Sequence, residues 1–395
     1  MTGGEDTASY AIYADYPDLY WELLTANLTH AKLQAQHSET GLAPFAITDT
    51  MIAEIHSRGC KMGNAVKGPG FEWRLDFNGI HLNLANRQHP HPTIPNIYLT
   101  IGSLPLMQHG IEHCWQLSET ILQTLGARNR TNKISRIDMA ADIPDLDTAT
   151  LQDLFATGLY ICRARKATLR SQQNDHVQET QHYDGRKKTG FTIGTGPILL
   201  RVYDKLTESK HQPAKLAALR QNRWNGQTPT HATRVEYQLR REALRTCRIA
   251  DHAQYMEKRA QLAAYLTGEW FTMLDHRQNN NRHTDRKVPH AAWQTVTAAF
   301  TAWTAPADPL QRTHKAPRPL PLALIRQAQG CLATAAALAL TDDDARKLRH
   351  YLKGIANLIQ PNADTISKKR ATLICQGKAP DQTKTPARQF YGVHP

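Results

Sequence analysis

The sequence contains no apolar run long enough to predict a helix across a membrane. Its most apolar stretch, residues 331–340, is far shorter than the roughly 20 residues that such a helix needs. Residues 1–6 include neither the basic segment nor the apolar core of a signal peptide. We therefore expect a soluble, cytoplasmic protein that makes no membrane contact.

Closely spaced cysteines and a phosphate-binding loop are also absent. The 6 cysteines lie far apart, without a Cys-x-x-Cys pair or a nearby pair of histidines. Zinc sites and disulfide frameworks need such spacing, so neither is expected, and a reducing compartment is favoured. Residues 63–70 do not fit the Gly-x-x-x-x-Gly-Lys-Ser/Thr pattern, so we expect no ATPase within the chain.

Basic residues outnumber acidic ones. The sequence has 48 Lys and Arg against 35 Asp and Glu, which gives a formal net charge of +13 over 395 residues. This excess favours polyanionic partners, with nucleic acid first and an anionic membrane second. A basic soluble protein without such a partner is the plain alternative, because basic soluble proteins are common.

Alternating apolar and polar residues predict an antiparallel β-sheet. Residues 71–77 and 80–84 alternate on either side of Asn78-Gly79, which is a strong hairpin pattern. Further strands are predicted at residues 97–101, 134–144 and 233–240. Helices are predicted at residues 16–33, 102–126, 148–159, 214–224 and 250–266. The predicted fold class is α+β, with an antiparallel sheet, packed helices and a smaller helical region at the C-terminal end.

The composition changes after residue 275. Residues 276–290 are polar and basic, and residues 306–321 are rich in proline. Between them, Trp293, Phe300 and Trp303 fall at helical spacing, which is more typical of core packing than of a binding site. We predict a sheet-containing domain over residues 1–275, a basic and proline-rich linker over 276–320, a helical region over 321–375 and a disordered tail over 376–395.

A second predicted hairpin, residues 190–205, carries a tyrosine between two cations. On its second arm Arg201, Tyr203 and Lys205 point to the same face. Cations near a phenol favour its ionised form, so we expect the pKa of Tyr203 to lie below its usual value of about 10. The same cations suit a phosphate. We therefore place a nucleophile at Tyr203, although a lone tyrosine is more often structural.

Three strands that are separate in the sequence each present one polar face. These faces hold Arg136, Asp138 and Asp142; Arg201, Tyr203 and Lys205; and Arg234, Glu236 and Arg240. In one antiparallel sheet they would merge into a single surface, because burial of the opposite faces fixes the register. Carboxylates there suit Mg²⁺ or Mn²⁺, and arginines orient phosphates. A solvated face with cross-strand ion pairs is the alternative interpretation.

Such a surface suits phosphoryl transfer, which depends mainly on positioning and charge stabilisation, with a metal to offset negative charge. Attack of a tyrosine on a DNA phosphodiester forms a phosphotyrosine link and frees a 3′-hydroxyl. Because the phosphate remains a diester in this link, the same site can reseal the strand.

Four segments resemble, in order, the motifs of the Rep-trans family of rolling-circle replication initiators from plasmids and filamentous phages. They are residues 135–142 (SRIDMAAD), 190–194 (GFTIG), 200–208 (LRVYDKLTE) and 234–242 (RVEYQLRRE). The resemblance spans roughly residues 97–266. It implies an α/β nicking domain with an antiparallel sheet, so residues 1–275 would be the DNA nicking domain.

The resemblance also implies roles for particular residues. Tyr203 matches the nicking nucleophile of the Tyr-Asp-Lys motif. The candidate ligands of Mg²⁺ or Mn²⁺ are Asp138, Asp142 and Glu236, with Glu208 as a further acid beside the metal; which aspartate is a ligand stays open. Arg201, Lys205, Arg234 and Arg240 would steady the phosphate.

The expected partners are origin DNA, single-stranded at the nick, and a host DNA helicase; a homodimer is an open alternative. The His-hydrophobe-His motif of the other large class of rolling-circle nickases is missing, and the prolines within residues 89–92 favour a loop there. The Arg/His-x-x-Arg set of tyrosine recombinases is not evident either. Two other functions remain open: a relaxase with the same chemistry, and a replication regulator that binds DNA without cutting it.

Overall fold

A computed structural model describes residues 3–48, 50–57, 70–164, 179–184, 187–194, 196–275, 288–312 and 331. For residues 179–184, 187 and 188 it describes only the backbone. The chain divides into two compact units, Met1–Thr313 and His314–Pro395, and every element below belongs to the first. Except for residue 331, the helical region predicted over 321–375 lies outside the described residues, as do the tail predicted over 376–395 and residues 276–287 of the predicted basic linker.

The described part of the first unit contains both strands and helices. The strands are β1 (Gly3–Asp15), β2 (Leu42–Thr48), β3 (Met51–His56), β4 (Trp73–Phe77), β5 (Ile80–Leu84), β6 (Ile97–Ile101), β7 (Arg128–Pro144), β8 (Tyr160–Cys162), β9 (Glu179–Asp184), β10 (Lys187–Ile193), β11 (Ile198–Asp204), β12 (Ala232–Arg240) and β13 (Phe271–Met273). The α-helices are α1 (Asp18–His37), α2 (Ser103–Thr124), α3 (Thr148–Ala156), α4 (Lys205–Ser209), α5 (Pro213–Asn222), α6 (Arg241–Thr246), α7 (His252–Ala264) and α8 (Ala291–Thr304). A π-helical segment, Tyr265–Trp270, follows α7.

Eleven strands form one antiparallel sheet in the order β2-β3-β4-β5-β6-β1-β7-β12-β11-β10-β9. Strands β8 and β13 form a separate two-stranded sheet. The predicted α+β class, an antiparallel sheet with packed helices, is confirmed. The prediction that β7, β11 and β12 neighbour one another is also correct, because β12 pairs with β7 on one side and with β11 on the other.

The N-terminal strand β1 was not predicted, although it lies near the middle of the sheet between β6 and β7. Its buried residues Ala8, Tyr10 and Ile12 alternate with partly polar ones, as in other half-buried strands. A register shift between Glu5 and Thr7 marks a bulge at Asp6. Bulges redirect side chains, and this one brings an acid from the start of the chain into the candidate site described below.

Helices cover one face of the sheet. Helix α1 packs on β2 and β3, α2 on β1, β5 and β6, α3 on β10 and β11, and α8 on β1 and β7. Ring centroids lie 4.6 Å apart for Tyr10–Trp115, 4.9 Å for Phe155–Phe191 and 5.7 Å for Tyr237–Phe300. The opposite face, called the open face below, carries the polar side chains of β4, β5, β6, β7, β11 and β12; those of β12 are buried except Arg240.

Helix α8 is part of this core. Trp293, Phe300 and Trp303 are buried against the sheet, in agreement with the interpretation of their spacing as core packing. The indole of Trp303 occupies the space where a side chain at Gly3 would begin. None of the described helices combines the length and apolarity needed to cross a bilayer.

The contact between Gly3 and Trp303 predicts a specific stability loss. We expect Gly3→Ala to lower the free energy of unfolding by about 1–3 kcal/mol, because the added methyl overlaps a buried indole. Thermal and denaturant unfolding followed by circular dichroism would measure it. Gly268→Ala is the control, since its added methyl meets no other part of the described chain within 4 Å. A cost for Gly3→Ala that persists in a Trp303→Ala background would contradict the assignment.

Candidate functional site

Tyr203 lies on the open face of β11, beside a pocket of about 390 Å³. The pocket is lined by Thr189, Arg201, Tyr203, Asp204, Thr207 and Glu208. The tyrosine ring is half-buried rather than sealed inside the core. A ligand in the pocket can therefore approach the ring of Tyr203 from the open face.

The hydroxyl of Tyr203 donates a hydrogen bond to Oε2 of Glu236 on the neighbouring strand β12, at 2.9 Å. The other oxygen, Oε1, accepts a hydrogen bond of 2.7 Å from Nη1 of Arg201. Strand register explains the arrangement, because Arg201 lies directly opposite Glu236 and Tyr203 is the next residue on the same face. The phenol thus lies next to a carboxylate that can accept its proton, while an arginine orients that carboxylate.

The expected direction of the Tyr203 pKa was wrong. Burial raises the pKa of Tyr203 well above its usual range, and the nearby carboxylate of Glu236 raises it further. Arg234 lowers it, but by less than burial raises it. The sequence pattern identified the neighbouring cations but not the depth of the phenol. The proton of Tyr203 must therefore be removed by a base during any reaction in which the phenol attacks.

Arg234 forms the buried centre of the site. Its Nε and Nη2 donate to the two carboxylate oxygens of Asp142 at 2.6 and 2.7 Å, and its Nη1 pairs with Asp6. Burial disfavours the charge on Arg234, but the two acids outweigh it and raise its pKa well above its ordinary value. Strand register again sets the contact, since Arg234 lies opposite Asp142 on β7 and opposite Tyr203 on β11.

Asp138 forms a second arginine–carboxylate pair on β7. Arg136 donates to both of its oxygens, through Nε at 2.8 Å and through Nη2. Burial nevertheless raises the pKa of Asp138 to about 6, because it outweighs the effect of Arg136, and Glu236 adds to the rise. Arg240 lies opposite Arg136 on β12 and its side chain is exposed.

Lys205 and Glu208 lie on the short helix that follows Tyr203. Lys205 is fully buried, and its Nζ is 2.7 Å from Glu208 Oε2 and 5.4 Å from the ring centre of Tyr203. Burial, aided by Arg234, lowers the pKa of Lys205 to about 8. The second oxygen of Glu208 accepts from Lys215 at 2.9 Å. The ammonium group of Lys205 is therefore held inside, beside the phenol, rather than presented to solvent.

The predicted metal ligands do not form one acid cluster. Each of the four carboxylates contacts basic side chains: Asp138 with Arg136, Asp142 with Arg234, Glu236 with Arg201, and Glu208 with Lys205 and Lys215. Within the described ranges, no group of three or more His, Cys, Asp or Glu could hold a metal ion. In this arrangement these acids do not fit a preformed site for Mg²⁺ or Mn²⁺.

Three further residues shape the site, and sequence reasoning gave none of them a role. Asp6 pairs with Arg234 from the bulge in β1. A methyl at Gly190 would overlap the carbonyl oxygen of Val202 and lie 2.8 Å from Cβ of Tyr203, so glycine lets β10 approach β11 closely at the tyrosine. The guanidinium of Arg223 fills the space above Gly4. Gly190 could have been singled out from the sequence, because it lies in segment 190–194, which resembles a Rep-trans motif. Asp6 and Arg223 could not, because their roles depend on contacts with residues far away in the sequence.

No family model matches the chain, and no curated protein matches it, so membership of the Rep-trans family stays a prediction. Among solved structures, the chain is similar to a rolling circle replication initiator protein from Geobacillus stearothermophilus. The identity is 13% and the TM-score 0.39, over 76% of this chain and 97% of the other. Both values are low, so this similarity supports no statement about function.

The Arg234–Asp142 pair predicts a structural role for Asp142. We expect Asp142→Asn to lower the free energy of unfolding by about 3–5 kcal/mol, because it leaves a buried guanidinium without one of its countercharges. Asp138→Asn is the comparison, and its loss should be smaller because the Arg136 side chain is 37% exposed and can be solvated. Urea unfolding measures both. Equal stability of Asp142→Asn and the unmodified protein would show that the ion pair does not hold this region together.

Proposed function

We propose that the protein nicks and rejoins a DNA strand through a covalent link to Tyr203. The observation that carries the proposal is the 2.9 Å hydrogen bond from the Tyr203 hydroxyl to Glu236, beside an open pocket. A nucleophile within hydrogen-bonding distance of a base, which another group orients, is the usual arrangement in covalent catalysis. Arg201 is the orienting group, because it donates to the other oxygen of Glu236.

In the proposed step the phenolic oxygen of Tyr203 attacks the phosphorus of a phosphodiester. A new bond forms between that oxygen and phosphorus, and the bond from phosphorus to the 3′-oxygen breaks. The phenolic proton passes to the carboxylate of Glu236, and the departing 3′-oxygen takes a proton from water. Attack of the freed 3′-hydroxyl on the phosphotyrosine reverses the exchange and reseals a strand.

The surrounding cations support this chemistry because negative charge develops on the phenolic oxygen and on the phosphate. Arg201 lines the pocket, and its guanidinium can donate to a phosphate oxygen there. Arg234 and Lys205 lie deeper, next to the phenol, where positive charge favours the phenolate. Arg240 is exposed on the same face and suits a backbone phosphate farther along the strand.

We further propose that the biological setting is the start of rolling-circle replication. The resemblance of residues 200–208 and 234–242 to Rep-trans motifs supports this setting, and the net charge of +13 suits a DNA partner. Origin DNA would be the substrate, single-stranded at the nick, and a host helicase would supply unwinding. Cleavage of DNA by the purified protein would distinguish this proposal from the alternative of a regulator that binds DNA without cutting it.

Loss of the phenolic hydroxyl should separate binding from cleavage. We expect Tyr203→Phe to bind DNA but to form no covalent adduct and no relaxed circles. The assay uses supercoiled plasmids carrying the DNA that flanks the protein's own coding region, followed by gel separation after protease treatment. Tyr237→Phe is the matched control, because that hydroxyl is buried on the other face of β12 and has no hydrogen-bond partner among the described residues. Cleavage by Tyr203→Phe would remove the nucleophile from the proposal.

Glu236→Gln tests the proposed base separately from the nucleophile. The amide keeps the shape of the side chain but cannot accept the proton, so we expect the cleavage rate to fall by about 10²–10⁴-fold. Single-turnover kinetics on a labelled strand measures the rate, and anisotropy on the same strand should give nearly unchanged affinity. A rate within a few-fold of the unmodified protein would show that Glu236 is not the base.

The need for Mg²⁺ or Mn²⁺ rests on the sequence pattern alone, and we derive no step through a metal. The sequence pattern predicts that treatment with EDTA stops cleavage and leaves most DNA binding intact, whereas the separate ion pairs of the four acids predict that cleavage survives EDTA. Restoration by added Mg²⁺, but not by added Na⁺ at equal ionic strength, is the control. Full cleavage in EDTA would take the metal out of the proposal and leave the roles of Tyr203 and Glu236 unchanged.

A further inference from the structure

A row of five side chains crosses the open face of the sheet away from Tyr203. It runs over neighbouring strands through pairs that lie directly opposite one another: Arg74 on β4, Asn83 on β5, Tyr98 on β6, Ala11 on β1 and Lys133 on β7. We call these residues the strand-crossing row. Residues directly opposite one another in antiparallel strands point to the same face, so the five side chains lie side by side.

The strand-crossing row and Tyr203 are on the same face. Thr100, two residues from Tyr98, lies opposite Ser9, which lies opposite Arg136. Arg136 in turn binds Asp138, next to Glu236 of the candidate site. From β6, which carries Tyr98, to β11 there are four strand spacings of about 4.8 Å, so Tyr98 and Tyr203 are on the order of 19 Å apart across the sheet.

The chemistry of the row is that of a nucleotide site. Tyr98 is partly exposed while Leu99 beside it is fully buried. Next to the Tyr98 ring lie the methyl group of Ala11 and the buried ring of Phe71, whose centre is 6.3 Å away. Aromatic rings on an open sheet are platforms on which unpaired bases stack. Arg74 and Lys133, at the two ends of the row, have no carboxylate partner among the described residues; Lys133 Nζ lies 4.2 Å from the ring centre of Tyr13.

Three polar atoms in this region lack a hydrogen-bond partner within the described part of the chain. They are Nε of Arg74, Oδ1 of Asn83 and Nε2 of His56 on β3. Buried polar atoms are nearly always paired in folded proteins, so a group of three on one face calls for an explanation. A donor and an acceptor side by side, from Arg74 and Asn83, match the mixed donors and acceptors along the edge of a base.

We propose that the strand-crossing row binds an unpaired nucleotide of single-stranded DNA. The base stacks on Tyr98, the buried polar groups of Asn83 and Arg74 turn outward to bond to its edge, and a flanking phosphate contacts Lys133. This proposal rests on the proposed function for the identity of the polymer as DNA, and it adds a second contact to the strand that Tyr203 cuts. Duplex DNA suits the row poorly, because its bases are already stacked and their faces are not available.

The test measures binding without cleavage. In a Tyr203→Phe background, anisotropy of a fluorescein-labelled mixed-sequence single strand gives the affinity. We expect Tyr98→Ala to weaken it by about tenfold, because one stacked base is lost, and Tyr98→Phe to stay within about twofold because the ring remains. We expect Lys133→Ala to reduce the slope of log affinity against log salt by about 0.7, the loss of one phosphate contact on a single strand.

Lys258→Ala on helix α7 is the charge control, because Lys258 bonds to the carbonyl of Arg248 and is not part of the row; its salt slope should not change. Unaltered affinity of Tyr98→Ala would overturn the proposal. An equal loss for duplex and single strand, or tighter binding of RNA than of DNA of the same sequence, would do so as well. Because the Tyr203→Phe background does not need to cut, failure of the proposed nicking chemistry would leave this binding result interpretable.

Discussion

The register between β7, β12 and β11 is the constraint on which the candidate site depends. Arg234 lies opposite Asp142 on one side and opposite Tyr203 on the other, so one arginine ties three strands together. A shift of one residue in either pairing would turn these polar side chains towards the helices and the apolar ones towards solvent. The buried pair of Arg234 and Asp142 has a cost of desolvation, but it also favours this register, because a shift between β7 and β12 would separate the two charges.

The acids of the candidate site are each neutralised by a basic side chain. Each acid predicted as a metal ligand contacts an arginine or a lysine, and this leaves the four acids as separate ion pairs rather than one anionic cluster. The phenol of Tyr203 is neutral before the reaction, because burial raises its pKa. A neutral phenol held by Glu236 is a poor nucleophile until its proton leaves, so activation is coupled to the transfer itself.

Sequence reasoning predicted the strands better than the contacts. The strands β7, β11 and β12 and the hairpin β4–β5 follow from alternation and turn residues, which are local properties of the chain. Strand β1 was not predicted because Gly3 and Gly4 weaken the alternation of apolar and polar residues at its start. The role of Asp6, which lies on this strand, was therefore not predicted either. The pairing of each acid with a particular arginine depends on register and burial, which no local pattern specifies. The reversed direction of the Tyr203 pKa has the same origin, since burial is a property of the whole fold.

The central claim is that Tyr203 itself becomes joined to DNA, and mass spectrometry of the trapped protein–DNA adduct tests it most directly. After cleavage, digestion with nuclease and protease leaves the modified peptide with a residual nucleotide attached. The account predicts a phosphodiester-linked nucleotide on the peptide that contains Tyr203, at the phenolic oxygen. A nucleotide on any other tyrosine, or on Lys205 or Glu236, would contradict it.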